Sequence, residues 1–372
     1  MIKVTTLISN FLLFSSIYGQ NTITELYNNK DFEALVKLED RAGSMNGEEL
    51  YMIGNAFFHL ENDTKAVEFY NKAIEKGFDN GISHFYKAVS LTYLKKYDEA
   101  LKEIDISLQK EPTNQEYMNQ KGLIYQSEGL EDKALDYFEE ATRLPNTYGE
   151  PYFWVAYIWH GKQDLEKALK LYRIAAEKIP HQNNYYVATL LSIGQLEYTY
   201  TQNYQKSALA YEEAIALRPK DYKVYSKLIK AYNAAKEYSK AENVFELLKT
   251  AYKNNELKGD EMKFKSVNID EYEWNKQKLT VFKFLEDPKN VLDISYKVFL
   301  LNKTGDKVER TFTVEKTIQT AGGNKHFLCE QKEDAHFTYP YGWKTDTISL
   351  EDLKKAIALI LDDKLQKTAT TK

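Results

Sequence analysis

Residues able to bind a metal or attack a substrate are few in this chain, and they are scattered. His326, Cys329 and His336 are the one group with ligand-like side chains, since thiolate and imidazole both suit zinc. Their spacing speaks against a shared ion. If residues 325–331 form a strand, His326 and Cys329 lie three apart and face opposite sides of it. A buried free thiol is the simpler reading of Cys329. The other histidines, His59, His84, His160 and His181, share no spacing. Gly322 and Gly323 stand in TAGGNK, which reads as a loop and not as a phosphate cradle. No nucleophile elbow or metalloprotease motif is present in the sequence. The expectation is therefore no catalysis, no metal and no cofactor.

Composition narrows the field further. Hydrophobic residues make up 43% and charged residues 28% of 372 positions, as in a folded globular chain. The net charge of −5 comes with no basic stripe, so nucleic acid is not expected as a partner. Cys329 is the only cysteine, which excludes an intramolecular disulfide. Tyrosine is in excess at 29 residues, and its flat body and polar tip suit both cores and recognition surfaces. The first nineteen residues combine Lys3, an apolar run from Leu7 to Tyr18 and small Gly19, the pattern of a signal peptide cleaved near Gly19. That pattern implies a secreted or periplasmic protein. The run is too short for a transmembrane anchor, and no cysteine is available there for lipid attachment.

What positions the tyrosines is a repeat. Ala66, Ala100, Ala134 and Ala168 recur every 34 residues, each followed by an apolar helix face; Ser207 follows after 39 and Ala241 after 34 more. Twelve residues before each stand Gly54, Ala88, Gly122, Ala156, Gln195 and Ile229, and four after stand Tyr70, Ile104, Phe138, Tyr172, Tyr211 and Phe245. Pro112, Pro180 and Pro219 fall twelve after, with Pro145 one place early. Each unit then reads as two antiparallel helices. Small residues sit where the helices approach, large rings fill the space beside them, and proline stops the second helix. At Gln195 and Ile229 the small position is lost, so the fifth and sixth pairs are expected to stand slightly further apart. One unit cannot bury its apolar face alone, but stacked units can.

This pattern resembles the tetratricopeptide repeat (TPR) family over about residues 47–255, as six units. The fold class expected is mainly α: a right-handed solenoid of helix pairs, then a small antiparallel β-sheet with one C-terminal covering helix. A degenerate helix pair would occupy 22–46, with Ala34 in its small position. A linker would span 256–262 and the sheet part 263–372, with strands at about 263–269, 278–285, 292–300, 308–315, 325–331 and 335–340. Leu350, Leu353, Ile357, Ile360 and Leu361 make one apolar stripe on the final helix, which Ser349 can cap.

The resemblance implies that the first helix of each unit lines a concave groove. Its partner-binding residues would be Tyr51, Asn55 and Phe58 in the first unit, and Phe85, Val89 and Tyr93 in the second. Asn119 and Gln126 would come from the third, and Phe153, Tyr157 and His160 from the fourth. Such a wall offers apolar area and amide donors to a peptide. The members of the family that clamp an acidic chaperone tail use lysine and arginine at these positions. Asn55 matches that clamp, but Tyr51 stands where a lysine belongs, so an acidic chaperone tail is not the expected partner. The expected partner is a protein or peptide with an apolar segment, and no small-molecule substrate is implied. The function read from the sequence is a non-catalytic protein-binding module acting outside the cytoplasm. The alternative is a structural subunit of an envelope or secretion assembly, working through convex faces and the C-terminal part.

Overall fold

The computed structural model describes residues 22–144, 148–258, 266–284, 292–317, 325–332, 335–343, 348–362 and 368–369. The expected signal peptide at 1–19, Pro145 and the expected loop at Gly322 and Gly323 lie outside the described residues. The chain forms two compact units, Met1–Tyr186 and Val187–Lys372, with the division inside one helix.

In the first unit, two short helices, α1 (Ile23–Asn28) and α2 (Phe32–Val36), lead through a 3-10 turn (Glu39–Ser44) into the hairpins. These are α3 (Gly47–His59) with α4 (Asp63–Glu75), α5 (Gly81–Tyr93) with α6 (Tyr97–Lys110), α7 (Gln115–Glu128) with α8 (Glu131–Arg143), and α9 (Glu150–Gly161) with α10 (Leu165–Lys178). Helix α11 (Asn184–Thr199) contains the division. The second unit continues with α12 (Tyr204–Leu217), α13 (Tyr222–Ala234) and α14 (Tyr238–Lys253).

The repeat positions do what their sizes require. Ala66, Ala100, Ala134, Ala168, Ser207 and Ala241 are fully buried, and so are the large side chains four residues on, from Tyr70 to Phe245. A Cβ added at Gly122 would lie 2.5 Å from Phe138 Cε1, so the ring occupies the space a side chain would need. Helices α6, α10 and α12 each end two residues before their proline.

A further periodic element is the turn inside each hairpin. Glu61, Lys95, Gly129, Gln163, Gln202 and Lys236 all have positive φ. Each is the left-handed residue that ends the first helix, and the next residue begins the second. The amide of that next residue reaches back five positions in most hairpins, as from Asn62 N–H to Phe57 O at 2.9 Å. Only one of these left-handed positions is glycine, so the others carry a local strain that the returning hydrogen bonds offset.

This turn explains the fifth unit, where the sequence expectation needs correction. Asn203 N–H reaches back six positions, to Glu197 O at 2.8 Å, so one of the five extra residues sits in the turn. The small position therefore shifts from Gln195 to Gly194. A Cβ there would lie 2.6 Å from Tyr211 Cε1, and Ser207 Oγ donates to Gly194 O at 2.7 Å. The pair is as close as its neighbours and not spread apart. In the sixth, Ile229 is fully buried. In the leading pair, Lys30 takes the left-handed position and Leu35, not Ala34, is the fully buried residue.

An ion network ties α5 to α6. His84, buried, donates from Nδ1 to Glu103 at 2.6 Å and from Nε2 to Asp79 at 2.8 Å. Lys87 also binds Glu103, at 2.6 Å, and Lys110 binds Asp79 at 3.0 Å. An imidazole that donates from both nitrogens is an imidazolium. Burial pushes its pKa down, but the two carboxylates outweigh that and the net shift is upward.

The second unit carries an antiparallel sheet whose strands pair in chain order. They are β1 (Ser266–Trp274), β2 (Gln277–Phe284), β3 (Leu292–Leu301), β4 (Val308–Thr317), β5 (Lys325–Lys332), β6 (Ala335–Trp343) and β7 (Thr368–Ala369). β7 was not expected. The first strand runs five residues past its expected end, because Asn275 and Lys276, both at positive φ, make a two-residue hairpin between Trp274 and Gln277. Gly305, at φ 79°, turns β3 into β4. Register places Leu279, Val281, Val298, Leu300, Phe312, Val314, Leu328 and Glu330 on one face, all buried. Helix α15 (Leu350–Leu361) meets that face. Tyr296 Oη donates to Ile348 O at 3.2 Å, just before the helix, and Lys354 pairs with Asp270. Of the expected stripe, Leu353, Ile357, Ile360 and Leu361 are buried and Leu350 partly so. Helix α14 also reaches the sheet, through Glu242 and Glu246 on Lys283 at 2.8 and 2.7 Å.

Two outcomes test this packing. Gly122→Ala should lower stability by about 1–3 kcal/mol, because Phe138 must move, as read in urea melts. Gly161→Ala meets no atom within 4 Å and should stabilise by about 0.4–1 kcal/mol. For the network, a raised His84 pKa means stabilisation that is full below the unfolded value of about 6.5 and lost as pH rises through the folded one. Glu103 and Asp79 are shifted down, so their share is lost instead at acid pH. The melting-temperature advantage of the native chain over His84→Gln should therefore be larger at pH 6 than at pH 8.

Candidate functional site

Spacing brings the first helices of the hairpins together, and their shared face in the first unit is aromatic. Asn55 Nδ2 donates to Tyr51 Oη at 3.1 Å and to Tyr27 Oη at 3.2 Å, so the leading α1 is tied to α3. Tyr51 then meets Tyr86 at 6.1 Å between ring centroids, and Tyr86 meets Phe58 at 5.8 Å. Phe85 stacks on Tyr117 at 5.1 Å. Phe153 touches Tyr157 at 6.4 Å and Tyr185 at 5.2 Å, and Trp154 lies edge-on to both tyrosines. Separations of this size are those of favourable ring pairs.

The expected groove residues divide into two sets. Tyr51, Asn55, Phe85, Asn119 and Phe153 are buried between hairpins. Phe58, Val89, Gln126 and His160 are half-buried, while Tyr93 and Tyr157 are 68% and 51% exposed. Phe58 and Tyr93, 6.2 Å apart, line an open cleft of about 600 Å³ with His59, Glu61 and Asp63. Phe32 from α2 stacks on His59 at 4.3 Å.

Electrostatics follows from burial. Tyr51 and Tyr148 are held well above the usual tyrosine range, chiefly by removal from water. Tyr185 is pushed up to about 12, first by burial and then by the charge of Glu150. Burial also raises Asp63 in the cleft and lowers His59, which Lys30 pushes further down. The inner face therefore carries neutral phenols at physiological pH.

Sequence reasoning missed Tyr86, Tyr148, Glu150, Trp154 and Tyr185. Tyr86, Tyr148 and Trp154 are outside the positions that the resemblance marks as inward. Tyr185 falls among the extra residues before the fifth unit, where phase is lost. A run of two tyrosines at the start of a helix was the available signal. Outside this unit, regular alternation along β5 puts His326 and Cys329 on opposite faces of the sheet, both buried.

Two family models described as tetratricopeptide repeat match the chain, one over residues 50–75 and 115–148 and the other over 196–256. A TPR repeat-containing protein of Methanocaldococcus jannaschii is 41% identical over 78 residues. The match covers 21% of this chain and spans 14% of that protein's length. Among solved structures, the C-terminal part of a TPR repeat-containing protein from Cytophaga hutchinsonii is similar at 21% identity and a TM-score of 0.42. It covers 55% of this chain and 82% of that one. Yeast Tom70 is similar at 21% identity and a TM-score of 0.44, over 59% of this chain and 45% of that one.

The division into buried and exposed rings is measurable. Phe85→Ala should cost about 3–5 kcal/mol of stability in denaturant melts, as for a large core ring. Tyr93→Ala should change the same melt by less than about 0.5 kcal/mol, as for an open surface position.

Proposed function

We propose that the tandem hairpins between residues 47 and 255, matched by tetratricopeptide repeat models over 50–75, 115–148 and 196–256, are a scaffold for protein–protein contact that holds an extended, largely apolar segment of a partner protein on the inner face of the first unit. The observation that carries this reading is the exposure of Tyr93 and Tyr157 on helices whose other rings are packed away. An aromatic side chain left in water is favourable ground for an interface, because its burial on binding releases much ordered water at small entropic cost. The cleft at Phe58 and Tyr93 offers a pocket for one side chain of such a segment. The buried set, Tyr51, Asn55, Phe85, Asn119 and Phe153, holds the wall in place and keeps the exposed rings in register.

In this reading residues 22–46 cap the array, and the leader at 1–19 sends the protein out of the cytoplasm. Among the described residues no helix is long and apolar enough to cross a membrane. What the face offers such a segment is phenols, amides and aromatic rings.

The test is capture of partners from the native envelope fraction by the chain without residues 1–19. Phe58→Ala, Tyr93→Ala and Tyr157→Ala together should reduce capture at least about tenfold, as loss of aromatic anchors does, with the cooperative melt retained. Capture that survives these changes and disappears on deletion of residues 263–372 would overturn the groove reading in favour of a structural subunit.

A further inference from the structure

Two asparagines precede glycine in this sequence, Asn46 before Gly47 and Asn80 before Gly81. Such a pair is the one most prone to spontaneous deamidation, because glycine has no side chain to keep its nitrogen from the asparagine carbonyl carbon. Both pairs occupy the same place in the fold. Asn46 caps α3 and Asn80 caps α5. Neither glycine has room for a side chain. A Cβ at Gly47 would lie 2.8 Å from Phe78 Cβ and 2.9 Å from Ala73 O. One at Gly81 would meet Tyr117 Cε2 at 3.0 Å, and the Gly81 carbonyl accepts from buried Ser107 Oγ at 3.0 Å. Packing requires the glycine, and capping favours a short acceptor such as asparagine before it.

The caps hold each asparagine away from the reaction. Glu49 N–H donates to Asn46 Oδ1 at 3.0 Å, and Asn46 N–H donates to Glu49 Oε2 at 2.9 Å. Ser83 N–H donates to Asn80 Oδ1 at 3.0 Å, and Asn80 N–H to Ser83 Oγ at 3.3 Å. Both asparagines have ψ 173°. Ring closure must swing the side chain off its cap bond and turn ψ, so that the glycine nitrogen reaches Cγ. Gly47 and Gly81 are also buried, which keeps water from taking the amide proton. The folded hairpin blocks the step and an open one permits it.

We propose that Asn46 and Asn80 are modification sites released by local opening of their hairpins, with water as the co-reactant. The Gly47 nitrogen attacks Asn46 Cγ and gives up its proton, the Cγ–Nδ2 bond breaks, and the side-chain nitrogen leaves as ammonia. Water then opens the cyclic imide at one of its two carbonyls, giving aspartate or isoaspartate. Asn80 and Gly81 react in the same way. Aspartate still caps the helix. Isoaspartate carries the chain through the former side chain and adds one backbone carbon, which drives the glycine against neighbours that leave it no space. The two helices carry Phe58 and Tyr93, so a chain that has opened is marked at its inner face and does not regain its first form. Asn46 is exposed and Asn80 half-buried, so Asn46 reacts first.

The test incubates the full chain some degrees below its melting midpoint and reads both sites by peptide mass spectrometry that separates aspartate from isoaspartate. Both should convert at least about tenfold more slowly in the native chain than in denaturing guanidinium, with Asn46 ahead of Asn80. Glu49→Ala should speed Asn46, and Ser83→Ala should speed Asn80, each at least about threefold. Asn46→Ser with Asn80→Ser keeps both caps and removes both reactive carbonyls. That chain should retain its cooperative melt through an incubation that erodes the melt of the native one. Equal rates in the folded and unfolded chains, or rates indifferent to Glu49→Ala and Ser83→Ala, would overturn the proposal. So would a failure of either site to convert in guanidinium, or equal erosion of the serine chain.

Discussion

At Gly54, Ala88, Gly122 and Ala156 on the first helices, and at Ala66, Ala100, Ala134 and Ala168 on the second, two backbones come as close as side chains permit. Phe138 against Gly122 shows the constraint most directly, since there is no space for even one added carbon. Close approach sets the hairpin angle. The hairpin angle decides which residues of the first helix reach the next hairpin and which remain in water. The left-handed turn residues keep the same approach in every unit. Where one residue is inserted, at the turn before Asn203, the small position moves by one and the contact is preserved. The contact has priority over the spacing.

Once the helices are fixed, polar groups on the inner face have few options. Asn55 bridges two phenols and thereby joins the leading helices to the array. His84 takes two carboxylates and becomes part of the glue between α5 and α6. Buried charge is tolerated there because each member has a partner. Glu150, half-buried at the start of α9, is held in the same way by Asn183 Nδ2 at 2.7 Å. The sheet of the second unit follows the paired pattern, with Arg310 Nε donating at 2.6 Å to Glu330, which is fully buried.

Much of the fold was legible beforehand because a 34-residue beat and a change to strand periodicity are local signals. The strand boundary near residue 270 was missed because Asn275–Lys276 is a two-residue turn without glycine, in which both residues accept positive φ. The small position of the fifth unit was missed because Gln195 and Gly194 differ only by a turn insertion nine residues downstream. The candidate site was legible as a face but not as a set of contacts. Tyr51 and Tyr93 share residue type and an inward position, yet one is packed against neighbouring rings and the other is open.

The sequence by itself determined that helices pair at alanine and glycine, that prolines stop the second helices, and that aromatic residues gather on one side. Those are consequences of side-chain size and backbone chemistry, which each short stretch carries with it. Only the tertiary structure decided which of the aromatic residues reach water, and that Phe153, Trp154, Tyr157 and Tyr185 meet in one cluster. Those residues come from α9 and α11. Their proximity is set by how successive hairpins stack, a sum of many close contacts that no single stretch of chain encodes.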